Sequence, residues 1–233
     1  MYIIKIENIM SYNIIVYYNN KMYNTQNNNH FKIVIVLDES GSMLEIEKNI
    51  INSLNIFISD QKQIIEKPAT LTLVKFNDEV NTVIDDIELK YIESLTDEDY
   101  KPNGYTALYD AIGNTIVKFP YEKDLLLVVI TDGHDNASVQ FNLEDIKKML
   151  DVNKEENNWS YVYLCNNLST FEQGKSLGLD INDKCSNLIE NSENFDNFIS
   201  NNLNNAIKNY RKVNESVQTQ LNLQYNNNNK KNC

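Results

Sequence analysis

Residues 32–42 read Lys-Ile-Val-Ile-Val-Leu-Asp-Glu-Ser-Gly-Ser. The first six form a continuous run rich in β-branched residues, as expected of a strand buried on both faces. The chain then changes character at once, to a carboxylate followed by hydroxyls at alternate positions, Asp38, Ser40 and Ser42. Beyond this loop Met43, Ile46, Ile50, Leu54, Phe57 and Ile58 recur at helical spacing and predict a long amphipathic helix.

Outward from this unit, strands and helices alternate. Residues 70–76 and 80–87 read as strands joined by the polar turn Asn77-Asp78-Glu79, a hairpin signal. A polar loop spans 94–105, and a helix over 107–119 stops before Pro120. Residues 125–130 are a second fully apolar strand. A helix at 143–150, a strand at 161–165, a short helix at 171–177 ended by Gly178, an edge strand at 185–189 and a closing helix over 195–210 complete the pattern. Such alternation, with the strongest apolar runs in the strands, predicts an α/β fold: a doubly wound, mostly parallel open sheet with helices on both faces and one antiparallel edge strand. The expected organisation is an Asn/Tyr-rich N-terminal arm over 1–30, one domain over 31–213 and an Asn/Lys-rich tail over 214–233 that buries too little apolar surface to order itself.

Ligand sites in such sheets lie outside the carboxyl ends of the strands, where the strand order reverses. Two apolar strands end in oxygen-rich loops: Asp38-Glu39-Ser40-Gly41-Ser42 after the first, and Thr131-Asp132-Gly133 after residues 125–130. Between them, a helix opens with Gly104-Tyr105-Thr106-Ala107-Leu108-Tyr109-Asp110. Each piece also has a structural explanation. Ser42-Met43-Leu44-Glu45 matches a capping box, Thr106 can cap the helix after the Gly104 turn, and Asp132-Gly133 is a turn signal. Taken together, Asp38, Ser40, Ser42 and Thr106 offer direct oxygens and Asp132 a carboxylate reaching through water. Oxygen ligation with two carboxylates suits a hard divalent cation, Mg²⁺ in particular. An ion held this way stays electrophilic and accepts a further carboxylate.

The Asp-Glu-Ser-Gly-Ser loop after a Val/Ile strand, the Gly-Tyr-Thr-Ala-Leu-Tyr-Asp helix start and Val-Val-Ile-Thr-Asp-Gly together resemble a von Willebrand factor type A (vWA) domain with a metal-ion-dependent adhesion site. The resemblance spans about residues 31–213. The segments 163–167 and 171–178 are more similar to intracellular microbial and viral members than to secreted matrix domains. It implies a Rossmann-like vWA fold and places the metal site on Asp38, Ser40, Ser42, Thr106 and Asp132. It further implies bound Mg²⁺, with Mn²⁺ or Ca²⁺ as alternatives, and a protein partner that presents an Asp or Glu to the metal.

Composition narrows the function. The 233 residues carry 21 Lys plus Arg against 33 Asp plus Glu, a formal charge of −12, so binding to a phosphate backbone is not expected. Asn is about one residue in six, with abundant Ile, Tyr and Lys, a coding bias more than a functional tract. No run of eighteen apolar residues predicts a membrane span, and the N-terminus lacks a secretory pattern. Cys165, Cys185 and Cys233 do not make a disulfide framework, so an intracellular location is expected. A protein-binding module is the first expectation. A metal-dependent phosphoryl-transfer hydrolase and a scaffold with an unused metal site are the alternatives. The hydrolase pattern wants a second Asp where Ser40 stands, and no Lys-bearing phosphate loop occurs. Glu39 is read as solvated, and Asp135, Asn136 and Ser138 as solvated or capping. Asp110 is read as serving either the helix dipole or the metal loop. Lys208, Arg211 and Lys212 are read as complementing their own helix end.

Overall fold

A computed structural model describes residues 30–165, 168–178, 186–188 and 203–213. Apart from His30, the expected N-terminal arm lies outside these residues, as do the tail, residues 195–202 of the expected closing helix, Cys185 and Cys233.

Six strands form one sheet: β1 (Phe31–Asp38), β2 (Ala69–Phe76), β3 (Val80–Glu88), β4 (Leu126–Ile130), β5 (Ser160–Cys165) and β6 (Ser186–Leu188). Their order is β3-β2-β1-β4-β5-β6. Every pairing is parallel except β2 with β3, so the hairpin supplies the antiparallel edge the sequence predicts. The chain winds outward from β1 to β2 on one side, then returns to place β4 on the other. Strand order therefore reverses between β1 and β4.

Alternate residues of the central strands feed two cores. Ile33, Ile35 and Leu37 of β1 pack with α1 (Glu47–Lys62) and the closing helix α5 (Asn204–Val213) on one face. Val34 and Val36 pack on the other face with α2 (Leu108–Lys118) and α3 (Leu143–Asn157). The short helix α4 (Leu168–Ser176) joins this second face. Gly174 lets it approach so closely that a Cβ there would lie 2.8 Å from the Tyr163 ring. Trp159 packs in this core, with its indole N–H donating to the Glu122 carbonyl at 2.7 Å.

Two helix boundaries and the role of one side chain differ from the expectation. The first helix does not start at Met43: Gly41–Ile46 is a 3₁₀ turn, opened by Met43 N–H bonding the Ser40 carbonyl at 3.1 Å. Ser42 is not its cap, because its hydroxyl is directed elsewhere. Helix α3 runs on to Asn157, seven residues past the last apolar position in the sequence pattern. Of those seven only Asn153 is buried, bonding the Met149 carbonyl through its amide at 2.8 Å. Arg211, the only arginine, does not serve its own helix end. It is buried and donates to the carbonyls of Gln61, Ile64 and Lys67 at 2.7, 2.6 and 2.7 Å, closing the C-terminal end of α1. Burial lowers its pKa to about 10, so it stays charged at neutral pH and answers the negative end of the α1 dipole.

Candidate metal site

Asp38 is the last residue of β1, and Leu37 is in register with Ile130, the last residue of β4. The two oxygen-rich loops therefore leave the sheet side by side, at the point where strand order reverses.

The Asp38 side chain is fully buried (0% exposed). One carboxylate oxygen accepts the Ser40 N–H at 2.7 Å, and the other accepts the Thr131 hydroxyl at 2.6 Å. Its carbonyl accepts the Tyr100 hydroxyl at 2.6 Å. Burial raises the Asp38 pKa to about 6, and the charge of Asp132 adds to the rise. The hydrogen bonds from Thr131 and Ser40 oppose it.

The hydroxyls of Ser40 and Ser42 are hydrogen-bonded at 3.2 Å, and Ser42 Oγ donates to Asp132 Oδ1 at 2.5 Å. This chain of oxygens crosses from the β1 loop to the β4 loop. Thr106 enters from the third segment. A Cβ on Gly133 would lie 2.9 Å from Thr106 Oγ1, so the absence of a side chain there makes room for the hydroxyl beside Asp132. Thr106 does not cap α2: the N-cap is Ala107, with no side-chain cap.

The helix α2 is capped instead from the loop after β4. Asp135 accepts the Tyr109 N–H at 3.2 Å and Ser138 accepts the Asp110 N–H at 2.9 Å, which fills the capping alternative for both. Asn136 accepts the Thr106 N–H at 2.8 Å, and the Thr106 carbonyl accepts the N–H groups of Asn136 and Ala137 at 2.9 and 3.2 Å. Asp110 answers in the opposite direction, accepting the N–H groups of Val139, Gln140 and Phe141, each at 2.9 Å. Its carboxylate thus holds the loop beyond Asp132. The first loop is tied as well, since Gly41 N–H donates to the Gly104 carbonyl at 3.1 Å. Gly104 has φ +77°, a conformation that favours glycine, and a Cβ there would collide with Asp78.

Glu39 is not solvated. It accepts the Lys75 ammonium at 2.7 Å in a mostly buried ion pair, and the same oxygen accepts the Lys101 N–H at 2.7 Å. Sequence reasoning also missed Tyr100 and Thr131, whose hydroxyls hold Asp38, and Thr170, whose hydroxyl donates to the Asp132 carbonyl at 3.0 Å. Thr131 stands in a motif already singled out. Nothing local marks Tyr100, which lies 62 residues from its acceptor.

The oxygens of Ser40, Ser42 and Asp132 are spaced as a small hard cation would accept. Cis ligands of an octahedron with ~2.1 Å bonds lie about 3 Å apart. The Ser40–Ser42 and Ser42–Asp132 oxygen spacings of 3.2 and 2.5 Å bracket that value. The acids at the site are two, Asp38 and Asp132, complemented by hydroxyls. Among the described residues no group of three or more His, Cys, Asp or Glu is gathered to hold a metal.

A profile of the von Willebrand factor type A domain matches residues 32–201, and the chain belongs to that family. Among solved structures, the chain is similar to the ArnB paralog VWA2 from Sulfolobus acidocaldarius, at 16% identity and TM-score 0.51, covering 75% of this chain and 45% of that one. It is likewise similar to a von Willebrand factor type A protein from Catenulispora acidiphila, at 14% identity and TM-score 0.52, covering 83% and 43%. A third is the PilB minor pilin from Streptococcus sanguinis, at 12% identity and TM-score 0.58, covering 82% and 63%. These likenesses establish the Rossmann-like vWA fold, and the chain spans less than two thirds of the length of each. A search of curated protein sequences finds no match. Domains of this family commonly mediate protein interactions. No helix among the described residues is long and apolar enough to cross a membrane.

Proposed function

We propose that this vWA domain is an intracellular protein-binding module of the microbial and viral type. Asp38, Ser40, Ser42, Thr106 and Asp132 form a metal-ion-dependent adhesion site for Mg²⁺, with Mn²⁺ or Ca²⁺ as alternatives. When bound, the cation supplies an electrophilic position for an acidic side chain of a protein partner. The observation that carries this reading is the continuous oxygen chain Ser40–Ser42–Asp132, which joins two strand ends at the reversal of strand order.

The roles divide by environment. Asp38, Ser40 and Thr106 are buried, and the carboxylate of Asp38 and the main chain of Thr106 are hydrogen-bonded within the fold, so they are positioned before any ligand arrives. Ser42 is exposed and Asp132 partly so, which leaves the outer side of the cluster open to a partner. We propose no catalytic role. Both Asp38 oxygens already accept protein hydrogen bonds, an arrangement that orients a ligand and leaves it a poor nucleophile. Thermal denaturation with and without Mg²⁺ tests the reading. The wild type is expected to melt higher with Mg²⁺ and Asp38→Ala to show no such gain. An equal metal response in the two proteins would refute the site.

A further inference from the structure

The end of the sheet opposite Asp38 carries a groove of about 170 Å³ between the end of α1, the start of β2 and the turn after β3. Its lining is mostly apolar, from Ile64, Ile65, Pro68, Ala69 and Leu89. Ile65 is 84% exposed. Tyr91 is 68% exposed, and its ring centre lies 4.7 Å from the ammonium of Lys90, which also lines the groove. Large apolar side chains left open beside an apolar groove mark a contact surface.

The chain enters the fold at this groove. Phe31 N–H donates to the carbonyl of Pro68 at 3.0 Å, so the residues before Phe31 leave β1 beside the lining. Glu88 also lines the groove. A hydrogen bond from Lys90 lowers the Glu88 pKa, and the nearby charge of His30 adds to the effect. Nδ1 of His30 is buried and has no hydrogen-bond partner among the described residues, a condition that native folds rarely leave in place. Residues 1–29 precede His30 and lie outside the described residues. Of the first 18, thirteen are Ile, Val, Met or Tyr. Residues 19–29 are polar, six of them Asn, and their length spans up to about 36 Å when extended. A groove that begins beside His30 is well within that reach.

We propose that residues 1–18 dock into this groove of their own domain, setting apolar side chains against Ile65, Leu89 and Tyr91 and supplying the partner that His30 lacks. So apolar a segment gains free energy by leaving water. The polar stretch 19–29 tethers it beside the groove, which gives it a high effective concentration there and an advantage over any second molecule. The groove lies at the far end of the sheet from Asp38, so docking leaves the candidate metal site uncovered. The contact joins the end of α1, the start of β2 and, through Arg211 in the lining, the closing helix α5.

Photo-crosslinking and proteolysis of the full chain test this. The crosslinker p-benzoylphenylalanine is placed at position 91 in place of Tyr91, and an equal mixture of light- and heavy-nitrogen protein is irradiated. Mass spectrometry is expected to find position 91 joined to residues 1–18 within a single isotopic label. Mixed-label products would assign the groove to a second copy and overturn self-docking. Products that lack residues 1–18 would overturn it as well. So would equal crosslinking to residues 1–18 when the crosslinker instead replaces Val139, an 89% exposed residue in the loop after β4. Residues 1–29 contain two lysines, Lys5 and Lys21. Brief trypsin treatment is expected to cut after Lys21 and to spare Lys5. Ile65→Asp, a change at an exposed position, is expected to raise the initial rate of cleavage after Lys5 at least about tenfold, because proteolysis follows the population of the open form. Equal initial rates after Lys5 in the two proteins would overturn the docking.

Discussion

Replacing Asp38 with Asn should change stability in opposite directions with and without Mg²⁺, and the metal-free effect should depend on pH. Burial raises the Asp38 pKa from 3.8 to about 6. A unit of pKa corresponds to about 1.36 kcal/mol, so holding this carboxylate ionised in the metal-free fold costs about 3 kcal/mol at neutral pH. The sign follows from proton binding. Between pH 3.8 and about 6 the folded chain holds a proton that the unfolded chain has released. Stability from this group is therefore present below 3.8 and is lost as pH rises through about 6. Asn is close in shape. Its oxygen can accept the Ser40 N–H, and its amide can donate to the Thr131 hydroxyl once that hydroxyl turns. In EDTA, Asp38→Asn should equal the wild type near pH 4 and exceed it by up to about 3 kcal/mol at pH 7. Mg²⁺ should reverse the order, stabilising the wild type only, and its apparent affinity should fall about tenfold per pH unit below the Asp38 pKa, because ligands bind metal deprotonated. Urea denaturation across this range, with EDTA or Mg²⁺, measures both. A difference between the two proteins that stays flat from pH 4 to 7 in EDTA would refute the argument.

Thr106→Ala should keep the fold, because the main-chain groups of Thr106 hold the 136–137 loop, yet lose most of the Mg²⁺ melting shift. A retained shift would remove Thr106 from the donor set. Arg211→Met should destabilise the chain by at least about 3 kcal/mol, since several carbonyls at the end of α1 lose charged donors in a buried setting. Urea denaturation reads this directly, and a loss under ~1 kcal/mol would show that water replaces the guanidinium easily.

Much of the fold is legible because its signals are local and strong. The short runs at 32–37 and 125–130, rich in β-branched and aliphatic residues, read as buried strands, and the alternation of elements around them limits the sheet to few topologies. The candidate oxygens are legible for a related reason: a carboxylate and hydroxyls follow directly on apolar strands. What the sequence hides depends on which strands become neighbours. Glu39 looks solvated until β2 lies against β1, with Lys75 in register with Leu37. Ser42 looks like a helix cap until Asp132 claims its hydroxyl. Thr106 looks like a cap for the same reason, but the cap of α2 comes from Asp135 and Ser138, nearly thirty residues on. The end of α3 is hidden differently, since a solvent-facing helical turn needs no apolar periodicity.

These tertiary bonds bear on how the site meets its ligand. A loop organised only by its metal would be loose without it, and ordering it would subtract from the affinity. Here the β1 loop is tied to Gly104, Tyr100 and Lys75. The β4 loop is tied to α2 in both directions through Asp135, Ser138 and Asp110. The buried, partly disfavoured carboxylate of Asp38 is thus kept in place by neighbours that do not themselves need the ion. Little ordering is left for the ion to impose, so its stabilisation of the chain should follow simple mass action, about 2.7 kcal/mol at a hundred times its dissociation constant. A site that collapsed and re-formed would instead show hydrogen-exchange protection at residues 38–42 and 131–138 only when metal is present. Protection in EDTA of the bonded amides among them, those of Glu39, Ser40, Gly41, Thr131, Asn136 and Ala137, is the signature of a prebuilt site, and it is what the hydrogen bonds require.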